Sequence, residues 1–229
     1  MDAQDLKLKH AQNLIRNGII YSIVIFLWPI FMGLSAVSGS IEEQIRLISQ
    51  NTLIYRLNFI IASLIAPTFF YLIVVFLELY KKEYKKEKYS KREIVGCGFL
   101  TLYTFLISIS YISQYTIFIR RLEGNVLENI ERWYFGNVNS MAYFLNQFGY
   151  AMWAVGILLL IYSLLEEKGL KKVAAVLLLI SAVASLLAFS GLLLNNSFLN
   201  SLTIFSGILI TPIGIVSIIM GYKIKKSYN

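Results

Sequence analysis

LIYRLNFIIASLIAPTFFYLIVVFLELY, residues 53–80, carries charge only at Arg56 and Glu78, close to its two ends. Between them runs apolar and aromatic sequence longer than the ~20 residues an α-helix needs to cross a bilayer. A barrel strand spans with about 10 residues and alternates polar with apolar positions; this stretch is longer and does not alternate. Five more runs of the same texture lie at 18–39, 94–119, 141–165, 173–194 and 198–222. Together they predict an all-α polytopic membrane protein, a bundle of six transmembrane helices forming a single transmembrane domain over residues 1–229. The first run is too long for a cleavable signal peptide, and mixed charge precedes it.

Composition agrees. Of 229 residues, 57% are hydrophobic and 15% charged, with a mean hydropathy of +0.66. A soluble domain sits near 45–50% apolar and about 25% charged. The single cysteine, Cys97, excludes an internal disulfide framework and a cysteine-based zinc site. The single histidine, His10, leaves no set of ligands for haem or a histidine-held metal. No cofactor or metal is expected.

The net charge of +8 reports topology. Lys7, Lys9 and Arg16 precede span 1; Lys81, Lys82, Lys85, Lys86, Lys88, Lys91 and Arg92 follow span 2; Lys168, Lys171 and Lys172 follow span 4; Lys223, Lys225 and Lys226 end the chain. The opposite connections hold only Arg46, Arg120, Arg121 and Arg132. The positive-inside rule therefore predicts a multi-pass cell-membrane protein with cytoplasmic N- and C-termini. The Lys81–Arg92 run is short and interleaved with Glu83 and Glu87, which suits a loop beside anionic lipid and not nucleic acid. Glu78 has Lys81 and Lys82 at helical spacing and is expected to pair with them.

Two outer connections have pattern. Residues 40–52 predict a short helix with Ile41, Ile45 and Ile48 on one face. In residues 120–140, Leu122, Val126, Ile130, Trp133 and Tyr134 recur at helical spacing, predicting an amphipathic interfacial helix in the outer loop. It would either lie flat on lipid or form a lid. Asn195-Asn196-Ser197 matches a glycosylation sequon, but its tight turn at the membrane edge and the Lys- and Ile-rich, prokaryotic composition argue against use.

Inside the spans there is no mid-membrane Asp, Glu, His or Lys. Proton-coupled pumps, retinal proteins and intramembrane proteases need such groups, so no catalytic residue is assigned. Neutral polar residues instead share faces: Thr104, Ser108, Tyr111 and Tyr115, with Gln114 adjoining, in span 3; Tyr143, Asn146, Gln147, Tyr150 and Trp153 in span 4; Arg56, Ser63, Pro67 and Tyr71 in span 2. Amides in hydrocarbon must find partners, so the faces of spans 3 and 4 should turn inward. They would either bond helix to helix or line an outward-facing polar-aromatic cavity. The candidate ligand-binding set is Arg56, Tyr111, Gln114, Tyr115, Asn146, Gln147, Tyr150 and Trp153, suited to a small hydrophobic or amphipathic molecule. Gly207, Gly214 and Gly221 recur every seven residues and form a seam for internal packing, a homodimer or a membrane-protein partner. Binding or transport of an amphipath, a non-catalytic subunit or scaffold, and an enzyme using Arg56 with outer-loop Glu residues are the competing functional classes.

LIYRLNFIIASLIAPTFFYLIVVFLELYK (Leu53–Lys81) and NQFGYAMWAVGILLLIYSLLEE (Asn146–Glu167) give the chain a texture that resembles a family of uncharacterised prokaryotic six-span integral membrane proteins. The resemblance implies the fold and carries no functional residue.

Overall fold

The computed structural model describes residues 3–83, 89–165 and 168–227, and among them every regular element is helical. Helix α1 (Ala3–Leu34) is followed by α2 (Ile41–Gln50), α3 (Thr52–Ser63), α4 (Ile65–Glu83) and α5 (Lys91–Ser113). One wide π-helical turn (Gln114–Phe118) joins α5 to α6 (Ile119–Glu123). After an irregular segment come α7 (Met141–Leu165), α8 (Leu170–Leu193), α9 (Ser197–Ile210) and α10 (Ile213–Lys226).

Six of the resulting helical segments are long and apolar enough to cross a membrane, as in a multi-pass membrane protein: Leu8–Leu34, Thr52–Leu79, Lys91–Glu123, Met141–Tyr162, Leu170–Leu193 and Ser197–Lys226. They are spans 1 to 6 below. Span 1 begins earlier than its hydropathy suggests, because polar residues of its first turns are packed inside: His10 and Asn17 are buried, and Asn17 Nδ2 donates to Asn13 O at 2.7 Å. The Glu78 carboxylate lies 3.8 Å from His10 Nδ1, and the side chains of Lys81 and Lys82 fall outside the described residues.

Successive spans pack side by side, and the last closes onto the first through α10 against α1. Small residues permit this closure. A Cβ on Gly18 would sit 2.7 Å from Gly214 O, and one on Gly221 2.7 Å from Ala11 O. Ser217 Oγ donates across the same seam to Leu14 O at 3.0 Å. Gly214 and Gly221 are therefore filled from within the chain, as the internal-packing reading of the seam expects; of the three, only Gly207 has no neighbour within 4 Å. Spans 3 and 4 approach in the same way at Gly96 and Gly156, and spans 5 and 6 are tied by Ser181, Ser185 and Ser206, whose hydroxyls lie 2.6–2.8 Å apart.

Three spans are interrupted. Span 2 breaks at Leu64, three residues before Pro67. Span 6 breaks at Thr211 and Pro212, where the Tyr21 hydroxyl of span 1 donates to Ile210 O at 3.2 Å. A neighbouring helix thus satisfies a carbonyl beside the proline break, the way such breaks survive in lipid. Span 3 carries the π turn.

The segment 120–140 is not the single helix its periodicity predicts. Asn125 (φ 54°) ends α6: Val126 N donates to Arg121 O at 2.8 Å and Asn125 N to Leu122 O at 3.2 Å, the paired bonds of a left-handed helix stop. Asn129 is also left-handed (φ 52°), and only Ile130–Arg132 make a further 3-10 turn. Val126 is consequently exposed while Ile130 and Tyr134 are buried. The sequon asparagines serve the same purpose elsewhere. Asn195 (φ 52°) stops α8 and the Asn196 side chain caps α9 by accepting from Leu199 N.

Candidate functional site

The end of the bundle away from most of the lysines is built around Gln114, the first residue of the π turn. Its side chain is fully buried between spans 2, 3 and the 130–137 segment. Oε1 accepts from the Tyr55 hydroxyl (2.8 Å) and from Phe135 N (3.0 Å); Nε2 donates to Trp133 O (2.8 Å) and lies 3.1 Å from Ser113 Oγ. Every hydrogen-bonding capacity of the amide is engaged, and two of its partners are backbone groups of a loop. The wide turn follows Gln114: Ile119 N donates to Gln114 O, which offsets Phe118 and the residues beyond it from the regular helical face of Ser110 and Tyr111.

Aromatic rings fill the space around that amide. Tyr55 packs on Phe59, Phe118 and Tyr134 with centroids 4.8, 5.4 and 6.5 Å away, and Phe135 packs on Phe59 and Tyr111 at 5.3 and 5.7 Å. The loop residues Tyr134 and Phe135 therefore form a plug seated between spans 2 and 3. The Tyr134 hydroxyl donates to Gln44 Oε1 of α2 at 2.6 Å, and burial pushes its pKa up to about 12. Helix α2 itself forms as residues 40–52 predict, with Ile45 and Ile48 buried, Ile41 exposed and Ser40 capping its start.

At the rim, the Arg56 guanidinium pairs with Glu123 at the end of α6, and Thr52 Oγ1 donates to the other oxygen of that carboxylate at 3.2 Å. The bridge ties span 2 to span 3. Glu123 is one of the loop glutamates that the enzyme reading set beside Arg56, though it was not in the candidate ligand-binding set.

The remaining predicted residues divide. Tyr111, Asn146, Tyr150 and Trp153 are buried, and Tyr111 faces Tyr150 and Asn146. Gln147, next to Asn146 in sequence, points to another interface and accepts from Thr203 Oγ1 of α9 at 2.9 Å. Tyr115 is half-buried against the core. The span 2 face of Ser63, Pro67 and Tyr71 does not turn inward; Tyr71 is 48% exposed. The inner stripe of that span is Tyr55, Phe59, Ala62, Ala66 and Phe69. Thr104 is only half-buried and bonds its own backbone at Leu100 O.

Below the plug, a second aromatic group joins four spans: Tyr21, Phe69, Tyr103, Tyr150 and Trp153, with Phe69 to Trp153 at 5.8 Å and Tyr103 to Tyr150 at 5.8 Å. Tyr21 and Tyr103 were not read from the sequence as site residues. Here the hydrogen bonding is incomplete. Tyr103 Oη and Trp153 Nε1 are buried without a partner, as is Asn58 Oδ1 on span 2. Each such group costs about 1–3 kcal/mol. Two of the three can donate, none is charged, and Tyr103 and Trp153 sit among aromatic rings. Among the described residues no three His, Cys, Asp or Glu side chains come together. Comparison with protein-family models, curated proteins and solved structures finds no match to this chain.

Proposed function

We propose that the protein binds or moves a small hydrophobic or amphipathic molecule through the outer half of its bundle. On this reading both termini are cytoplasmic, the protein sits in the cell membrane, and the 130–137 segment closes the outward entrance. The observation that carries the reading is the pair of unpaired donors, Tyr103 Oη and Trp153 Nε1, beneath a plug that Gln114 holds by two bonds to loop backbone. Unpaired polar groups in hydrocarbon are unfavourable unless something meets them. The interrupted spans 2 and 6 add support, since broken helices accompany solute sites in membrane carriers.

Access is the test. In a Cys97→Ser background, Asn146→Cys should resist a membrane-impermeant maleimide applied from outside. Adding Gln114→Leu, which cuts the plug loose, should raise its labelling at least tenfold. Unchanged labelling in a folded protein would overturn the entrance.

One observation favours a second reading, a non-catalytic subunit or scaffold: Gly207 has open space beside the exposed Ile204 and Ile208 of α9. A strict monomer by light scattering in mild detergent, with nothing co-purifying, would count against it.

A further inference from the structure

Span 3 serves two walls of the bundle, and it changes register between them. Before the π turn, Ser110 Oγ donates to Ala142 O of span 4 at 2.7 Å. Beyond the turn, Phe118 stacks on Tyr134 with ring centroids 5.3 Å apart, and Glu123 pairs with Arg56 of span 2. The π turn reconciles the two: Ile119 N bonds Gln114 O, five residues back, where an α-helix would reach four. Such turns are rare, and they recur at functional sites.

The same residues have a second register. Were Ile119 N to take Tyr115 O instead, the helix would be regular, and everything beyond the turn would rotate by about 100° and advance by about 1.5 Å. Phe118 would leave the face that meets Tyr55 and Tyr134, and Glu123 would swing away from Arg56 and Thr52. The plug would lose a stacked ring. Its stem would turn as well, because the chain runs from α6 towards it and Arg121 Nη2 donates to Glu128 O on the way, at 2.7 Å. The one charged tie that holds the wide register is weak: the Arg56–Glu123 bridge is partly exposed, and ion pairs of that kind contribute little. A helix with two registers and a weak tie between them is an element that can switch.

We infer that span 3 is the latch of the entrance: the wide register holds the 130–137 plug shut, and relaxation of the turn to regular α-helix opens it. This rests on the reading of that segment as the closure of a binding site, and adds what moves it.

Deleting Ile117, an exposed residue of the turn, removes the surplus residue. The bond from Ile119 N to Gln114 O then becomes an ordinary α-helical one and both flanks keep their places, so the chain should fold and stay in the closed register. The full chain carrying Cys97→Ser and Asn146→Cys is purified in mild detergent, and its reaction with a charged maleimide is timed. Glu123→Ala should speed the reaction by about fivefold, the most one exposed ion pair is expected to contribute. The Ile117 deletion should slow it, and Glu123→Ala added to the deletion should leave it slow. The same acceleration by Glu123→Ala with and without the deletion would overturn the latch. Gln114→Leu, which frees the plug directly, should speed the reaction in either background. If it does so while the deletion alone changes nothing, the entrance stands and the latch falls; if Gln114→Leu changes nothing, the entrance itself falls. A measurement without any deletion uses nitroxides at Leu53→Cys and Arg120→Cys, both exposed and on spans 2 and 3. Adding Glu123→Ala should bring in a second distance displaced by several ångström, and a single unchanged distance would overturn the switch.

Discussion

Gln114 shows how one side chain can decide what a loop does. A buried primary amide has two donors and a two-lone-pair acceptor to satisfy, and here loop backbone takes part on both sides: Trp133 O receives and Phe135 N gives. Its inward orientation could be read from the sequence, since an amide in a span has nowhere else to go. Its partners could not, because backbone atoms of a loop 19 to 21 residues away leave no pattern of residue types. The neighbouring Tyr134 carries a pH signature. Burial raises its pKa from 10.0 to about 12. Below pH 10 the phenol keeps its proton whether folded or unfolded, and the stability from its burial is fully present. Between pH 10 and about 12 the unfolded chain ionises while the folded chain does not, so stability falls; above that no further loss comes from this group. Tyr134→Phe should therefore remove part of the drop in unfolding midpoint between pH 9 and pH 12, measured against the wild type in the same detergent. Parallel curves for the two proteins over that interval would contradict the buried placement of the hydroxyl.

At the scale of elements, hydropathy made all six spans legible, because a helix in lipid has to be apolar over its full crossing. The 120–140 segment was harder. Leu122, Val126, Ile130, Trp133 and Tyr134 imitate helical spacing, and the periodicity outweighs the quieter signals of Gly124, Asn125 and Asn129. Those small and left-handed positions are what end the helix. The glycine seam of span 6 was visible too, but its mate was not, since Gly18 looks unremarkable within α1. The contrast between two glycines makes the packing measurable. Gly18→Ala would drive a methyl to 2.7 Å from a backbone carbonyl of α10, which cannot step aside, and should destabilise by about 1–3 kcal/mol. Gly98→Ala, with nothing within 4 Å, should be neutral or gain up to about 1 kcal/mol from helix propensity. Thermal or denaturant unfolding in one detergent ranks the two; equal effects would mean that spans 1 and 6 do not meet at this glycine.

The whole molecule has two unlike ends. One holds the plug, α2 and the Arg56–Glu123 bridge; the other holds the start of α1, the end of α10 and most of the lysines. With Cys97 replaced by serine, cysteines at Asn139 and Ser227 should report this polarity in intact cells. The first should react with an impermeant maleimide and the second only after permeabilisation, and the reverse pattern would turn the protein over in its membrane.

Because α1 and α10 share a seam, the order of synthesis has a consequence for assembly. Span 1 leaves the ribosome well before span 6, whose surface receives its Gly18 and Tyr21. Until span 6 arrives, the Gly18 groove is unfilled and the Tyr21 hydroxyl lacks the Ile210 carbonyl. Spans 3 to 5 can dock as each emerges, since each meets its immediate neighbour. The bundle therefore stays open between spans 1 and 6 until that helix is made, so that a chain arrested before span 6 would display an unfinished span 1 to the machinery that removes defective membrane proteins.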